Sequence, residues 1–272
     1  MRVKLTISYI GKEYDGWQSQ PSGRGVQDHV EKALGEVLGH PVRLYCAGRT
    51  DKGVNATGQV AHFDTDRTRL TPYKICLATN ILLPSDISIV DAEIAEDNFD
   101  ARFWADSKTY IYRLYVSPTR KPLLDINHAQ VYKPLDIEKM QRVTKLLEGT
   151  HDFATLQNTG SNLRGTVRTL HKVELRDNGD GTLEIEINGN AFLYNMVRNI
   201  AGLLVAVGSG KIKEEDVESI LKSGDRRLSG KTMPACGLTL EKIHYDGDRR
   251  QRFLNLYRNG SADAMPDDDY CD

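Results

Sequence analysis

The chain has 272 residues, 39% of them hydrophobic and 27% charged, and its 36 Lys and Arg against 38 Asp and Glu leave a formal net charge of −2. That length allows one large domain or two smaller ones with sizeable cores, and near-neutrality does not exclude a nucleic-acid partner, since a local basic patch suffices. The only long apolar run, residues 191–208, contains Asn195, Arg198 and Asn199 and is too polar and slightly too short for a membrane span.

The opening MRVKLTISYIG alternates apolar and polar residues, which predicts a strand with one wet face in place of a basic, apolar leader. Residues 11–25 form a glycine-rich loop carrying Tyr14, Trp17 and Arg24. Val26, Val30, Ala33, Leu34, Val37 and Leu38 then recur at helical spacing and stop at Gly39. Strand-like residues 42–46 and 59–64 flank the loop AGRTDKGVNATG, residues 47–58. Thr71 and Pro72 read as the cap and first turn of a helix reaching about Leu82. Strand character returns at residues 87–94.

A second cycle follows. Residues 108–116 predict a strand, and Asp136 is expected to cap a helix with Ile137, Met140, Val143 and Leu147 on its core face. Residues 167–175 and 183–188 predict a hairpin around residues 177–181. A helix from about residue 191 to 207, a short helix at 214–221 and a strand at 237–244 complete the cycle. Two mixed blocks without strict alternation predict an α+β fold with largely antiparallel sheets. The expected division is 1–105 as an N-terminal half, 106–246 as a C-terminal half and 247–272 as a polar tail. From Asp246 the chain holds seven Asp and four Arg, a charge of −3 against +1 for the body, and this end is expected to be mobile.

Several chemistries lack their signatures. No dinucleotide fingerprint follows a strand, and residues 48–55 fail the phosphate-loop pattern because Val54 stands where Lys is needed. There is no H-E-x-x-H and no nucleophile elbow, and the seven histidines are scattered. Cys46, Cys76, Cys236 and Cys271 form no C-x-x-C pair, so reduced thiols in a cytosol are expected, without a zinc site or disulfide framework. The expectation is an enzyme using no metal, ATP or redox cofactor.

Three segments can carry chemistry. In the loop 47–58, Arg49, Asp51 and Lys52 stand among Gly48, Gly53 and Gly58. A carboxylate between two cations is held ionised and can act as nucleophile or base; a solvated turn organised by Asp51 fits the same residues. In AFLYNMVRNIAGLLVAV, Arg198 is the one charge in a helix apolar on most sides, and a buried guanidinium strongly prefers a carboxylate, in a site or in a core ion pair. In KTYIYRLYV, Tyr110 and Tyr112 share a strand face beside Arg113, and such rings either stack on an unstacked base or fill a core.

Taken together, these segments resemble the tRNA pseudouridine synthase A (TruA) family. AGRTDKGVNATGQVAHF resembles its hallmark motif, and YDGWQSQ, GVQDHVEKAL, ARFWADSKTYIYRLYV, EGTHDFATL, AFLYNMVRNIAGLLVAVG and MPACGLTLEKI resemble its other blocks in family order, from about Lys4 to Tyr245. The resemblance implies two α/β halves with mainly antiparallel sheets and a central cleft. It implies a cytoplasmic homodimer acting on tRNA, isomerising uridines 38 to 40 of the anticodon stem-loop without a cofactor or membrane. Asp51 would be the nucleophile, Tyr110 would stack on the target base and help move its C5 proton, Arg198 would pair with Asp51, and Arg49 would fill or stabilise the space the flipped uridine leaves. Asn55 stands where many bacterial members have His, and Tyr194-Asn195 replaces a common His pair. Neither departure is expected to touch the aspartate or the arginine, so both are expected to bear on substrate preference and not on chemistry. The competing readings are a synthase for another RNA site, a non-catalytic RNA-binding protein, and a small-molecule enzyme using Asp51 as a base.

Overall fold

The computed structural model describes residues 1–160, 165–245, 247 and 249–251. Its strands are β1 (Arg2–Tyr9), β2 (Tyr45–Cys46), β3 (Asn55–Asp64), β4 (Ile87–Ala95), β5 (Ser107–Val116), β6 (Ala129–Val131), β7 (Gly149–Asp152), β8 (Val167–Asp177), β9 (Thr182–Gly189) and β10 (Leu238–His244). Its α-helices are α1 (Val26–Leu38), α2 (Pro72–Leu82), α3 (Ile137–Leu147), α4 (Met196–Gly208) and α5 (Val217–Ser223). The α+β class with mostly antiparallel strands agrees with the sequence expectation. The chain clusters into two units, one of Met1–Asp106 with the described residues from Leu240 onward, the other of Ser107–Thr239.

In the first unit the strands run in the order β4, β1, β3, β10, with β2 beside β3. Strand β1 pairs antiparallel with both β3 and β4, and its alternation buries Val3, Leu5, Ile7 and Tyr9 on one face. Helix α1 buries Val26, Val30, Ala33, Leu34 and Leu38, the apolar set its spacing predicts. It ends at Gly39, whose left-handed φ of 72° is free of the Cβ clash other residues would meet. Thr71 caps α2 by accepting the Lys74 N–H, with Pro72 in the first turn as expected.

Two boundaries here differ from expectation. Only Tyr45 and Cys46 of the predicted 42–46 strand pair with β3, while β3 starts at Asn55, four residues earlier than predicted. Thr, Asn and Gly at 55–58 carry no strand pattern, but pairing opposite Tyr9, through a register shift between Ile7 and Tyr9, draws them into the sheet. The end of the predicted loop is therefore rigid sheet.

In the second unit the order is β5, β9, β8, β7, with β6 parallel to β5 and the other pairs antiparallel. Strands β8 and β9 form the predicted hairpin, closed where Asn178 N–H meets Thr182 O and turned by Gly179 and Gly181 at positive φ. Asp136 caps α3 through the Lys139 N–H, and Met140, Val143 and Leu147 are buried. Helix α4 starts at Met196, five residues later than predicted. Asn195 breaks the run with a left-handed backbone, φ 59° and ψ 12°, a conformation asparagine tolerates better than most residues. The apolar pattern of residues 191–195 cannot by itself distinguish helix from buried coil. The expectation for the polar tail falls largely on residues 246, 248 and 252–272, which lie outside the described residues.

Candidate active site

The loop before β3 is held by backbone and buried side chains of its own unit. Ala47 N–H donates to Val60 O, and the buried Gln59 side chain donates to Gly48 O at 2.7 Å. Thr50 is gripped twice: Trp17 N–H donates to its carbonyl at 3.0 Å, and its hydroxyl lies 2.7 Å from the Tyr9 hydroxyl in the core. Burial pushes the Tyr9 phenol far above its usual pKa, so it stays protonated. The next residue is Asp51, half-buried, whose carbonyl closes a turn onto Val54 N–H with Gly53 at φ 79°.

Gly16 packs directly on this turn. At φ 96°, a Cβ there would lie 2.5 Å from Thr50 O. Gly11 is similarly confined by Val54 O, and its N–H donates to Asn55 Oδ1 at 2.8 Å. Asn55 is thus a structural acceptor joining the first loop to the start of β3.

The two cations flanking Asp51 have distinct partners. Lys52 Nζ donates to Asp15 Oδ1 at 2.8 Å, and this bond lowers the Asp15 pKa, helped by Ser22 and Arg24. Arg49 Nε donates to Gln18 Oε1 at 3.1 Å. Lys52 thus forms an ion pair with Asp15 across the loop. Asp15 was legible only as part of YDGWQSQ; its partner is decided by the loop's folding back on residues 49–53.

Tyr110 and Arg198 lie in the second unit. Tyr110 pairs with Ile187 across β5 and β9, is 8% exposed, and meets Phe192 edge-on at 5.1 Å between ring centres. Tyr112, on the same face, is fully buried, and its hydroxyl donates to Pro234 O at 2.8 Å. A Cβ on Gly237 would come within 2.7 Å of that ring, so Tyr112 is a core residue.

Helix α4 is buried on nearly all sides, as predicted, but Arg198 sits half-exposed on it. Its Nε donates to Met233 O at 2.7 Å, and Met233 N–H donates back to Arg198 O at 3.3 Å. Its Nη1 donates to Asn195 Oδ1 at 2.5 Å. Asn195 therefore bears on the arginine, which corrects the expectation that the Tyr194-Asn195 departure leaves that residue alone. Asn195 lies one helical turn before Arg198, and its left-handed backbone brings the carboxamide within reach.

A family model described as tRNA pseudouridine synthase matches residues 5–104 and 143–246. The chain is 42% identical over 244 residues to tRNA pseudouridine synthase A of Ruminiclostridium cellulolyticum, covering 90% of this chain and 99% of the relative. It is 42% identical over 244 residues to the protein of that name from Coxiella burnetii, covering 90% and 93%. It is 41% identical over 249 residues to the one from Pseudomonas aeruginosa, covering 91% and 86%. Among solved structures, an archaeal box H/ACA sRNP Nop10–Cbf5 complex aligns over 97% of this chain and 58% of that one, with TM-score 0.41 and 9% identity, too distant to carry an argument.

Proposed function

The chain belongs to the tRNA pseudouridine synthase family, isomerases that convert uridine to pseudouridine in tRNA, and we propose that it acts at positions 38 to 40 of the anticodon stem-loop with Asp51 as nucleophile. The observation that carries the reading is the double grip on Thr50, which fixes the backbone immediately before a half-buried aspartate. A carboxylate held this way has little conformational freedom to lose on meeting a substrate.

The target uridine leaves its stack to reach the carboxylate. Arg49 takes the space left in the RNA, and Tyr110 stacks on the base. Attack by Asp51, at C1′ or at C6, assists cleavage of the C1′–N1 bond. The freed base turns and rejoins C1′ through C5, the bond to Asp51 breaks to restore the carboxylate, and C5 loses its proton while N1 gains one. Bonds and electrons balance within the nucleoside, so the chemistry consumes no redox equivalent or ATP. Arg198 supplies the positive charge that keeps Asp51 ionised. The engagement of Lys52 with Asp15 supports Arg198 over Lys52 in that role.

The working form is a cytoplasmic homodimer. Helix α2 supports self-association because Tyr73, Leu77 and Ile81, at i, i+4 and i+8, are all exposed. Among the described residues no helix is long and apolar enough to cross a membrane.

The test is tritium release from [5-³H]uridine-labelled tRNA transcripts by wild type and Asp51→Asn, with mapping of the modified positions. Release by wild type alone, in the anticodon arm, is the expected result. Substantial release by Asp51→Asn would remove the nucleophile assignment, and release mapped to another site or RNA would favour the same chemistry on a different substrate.

A further inference from the structure

Behind Arg198 lies a second arginine whose every donor is used within its own unit. Arg226 Nε donates to Asn158 Oδ1 at 2.9 Å. Its Nη1 donates to Ser229 Oγ at 3.0 Å and Gly230 O at 2.7 Å, and its Nη2 to Asn199 Oδ1 at 2.6 Å and Thr232 Oγ1 at 2.7 Å. Five contacts match the five N–H groups of a guanidinium. None goes to a carboxylate. The cation is thus half-buried against neutral acceptors, an expensive arrangement if burial were its only purpose.

Asn199 follows Arg198 on α4, and Thr232 precedes Met233. The hub grips the neighbours of the two residues that bind each other through Arg198 Nε to Met233 O and Met233 N–H to Arg198 O. Asn199 and Thr232 also meet directly, Oγ1 donating to Oδ1 at 2.7 Å, and Asn199 Nδ2 donates to Leu156 O and Asn158 Oδ1. The two segments touch at backbone distance, since a Cβ on Gly202 would fall 1.9 Å from Lys231 O. Residues 229–233 are thereby pinned onto α4, and the carbonyl that aims the Arg198 guanidinium cannot drift.

We infer that Arg226 is a positioning residue for the isomerisation, holding the Met233 carbonyl so that the Arg198 guanidinium keeps the direction catalysis needs. The inference rests on the reading of Arg198 as the partner of Asp51. Because its five donors are already taken up within the protein, the loss of Arg226 is expected in the chemical step and not in tRNA affinity.

The experiment is single-turnover tritium release with enzyme in saturating excess over tRNA, which reports the rate constant of correctly folded complexes, alongside tRNA binding and thermal melting. Arg226→Gln is expected to lower that rate about 10- to 100-fold, the range a misplacement near 1 Å produces, with tRNA Kd within about twofold of wild type. Thr232→Val, which cuts the link from the hub to Met233 and spares Arg226, is expected to show a smaller loss of the same kind; it decides the matter if Arg226→Gln does not fold. In the double variant Arg198→Lys, Arg226→Gln, the losses are expected not to multiply, because Arg226 acts through Arg198. Wild-type rates in Arg226→Gln or Thr232→Val, or multiplying losses in the double variant, would overturn the positioning role alone. A wild-type rate in Arg198→Lys would instead remove the reading of Arg198 on which it stands.

Discussion

The hydroxyls of Tyr9 and Thr50 meet at 2.7 Å inside the first unit, one residue before Asp51. Tyr9 ends β1 and is 3% exposed; Thr50 belongs to the loop. The sheet thus reaches into the loop through a polar contact that excludes water.

Removing that contact tests whether loop rigidity matters. Tyr9→Phe leaves the buried Thr50 hydroxyl without its phenol partner, a cost of about 1–3 kcal/mol. The melting temperature should fall, and the single-turnover rate should fall with it, because Asp51 gains freedom. A variant that melts lower and reacts at the wild-type rate would show that the grip serves stability only.

Asn195 offers a cleaner separation, since it has two roles, a left-handed backbone and an acceptor for Arg198. Asn195→Gly keeps the backbone and loses the acceptor, so the rate should fall with little change in melting. Asn195→Ala should lose both and melt lower, since an L residue in that conformation costs about 1–2 kcal/mol. Equal melting temperatures for the two variants would contradict the role given to φ 59°.

Acidification should weaken the first unit through His62. This ring is buried, accepts the Ala101 N–H at Nδ1 over 3.2 Å, stacks on Tyr45 and meets Phe99 edge-on. Burial, mainly, lowers its pKa; Asp100 opposes the shift and Arg2 adds to it. A histidine lowered in the folded state binds fewer protons than the unfolded chain, so stability rises with pH across the shift. His62 therefore contributes fully above the ordinary value of about 6.5, and the contribution is lost as pH falls toward the folded pKa. His128 is lowered by burial as well, so the measurement is a difference. Melting of His62→Gln should decline less than wild type between about pH 6.5 and 5, and parallel declines would refute the assignment.

The exposed side of α2 should be the dimer contact. Ile81 is 83% exposed and Leu77, one turn away, is 49% exposed, so Leu77→Lys with Ile81→Lys removes exposed apolar surface from this side. Light scattering after gel filtration should report a monomer with an unchanged melting temperature. A persistent dimer would place the interface elsewhere.

How much of this was legible in the residues varies with the range of the interaction. Alternation in β1, the spacing of α1 and the caps at Thr71 and Asp136 are local, because a strand or helix period and a cap are completed within a few residues. The same holds for the loop chemistry: Asp51 among glycines and cations, and Arg198 alone on an apolar helix, stand out in the bare sequence. Most of what escaped it needed partners distant in the chain. The early start of β3 depends on Tyr9 and the pairing of Lys52 on Asp15; the late start of α4 is local but hidden, resting on one left-handed residue that an apolar pattern does not reveal. Arg226 shows the difference most clearly. In sequence it is one of two adjacent arginines in a polar stretch, while in the fold its neighbour Arg227 pairs at the surface with Asp225 and it alone gathers Asn158, Asn199 and Thr232. Which elements form, and which side chains have the chemistry to react, follow from local periodicity and residue type and can be read from the residues alone. Which polar groups hold one another in place is set by the folded chain, because a hydrogen bond between residues tens of positions apart exists only once packing has brought its two ends within about 3 Å.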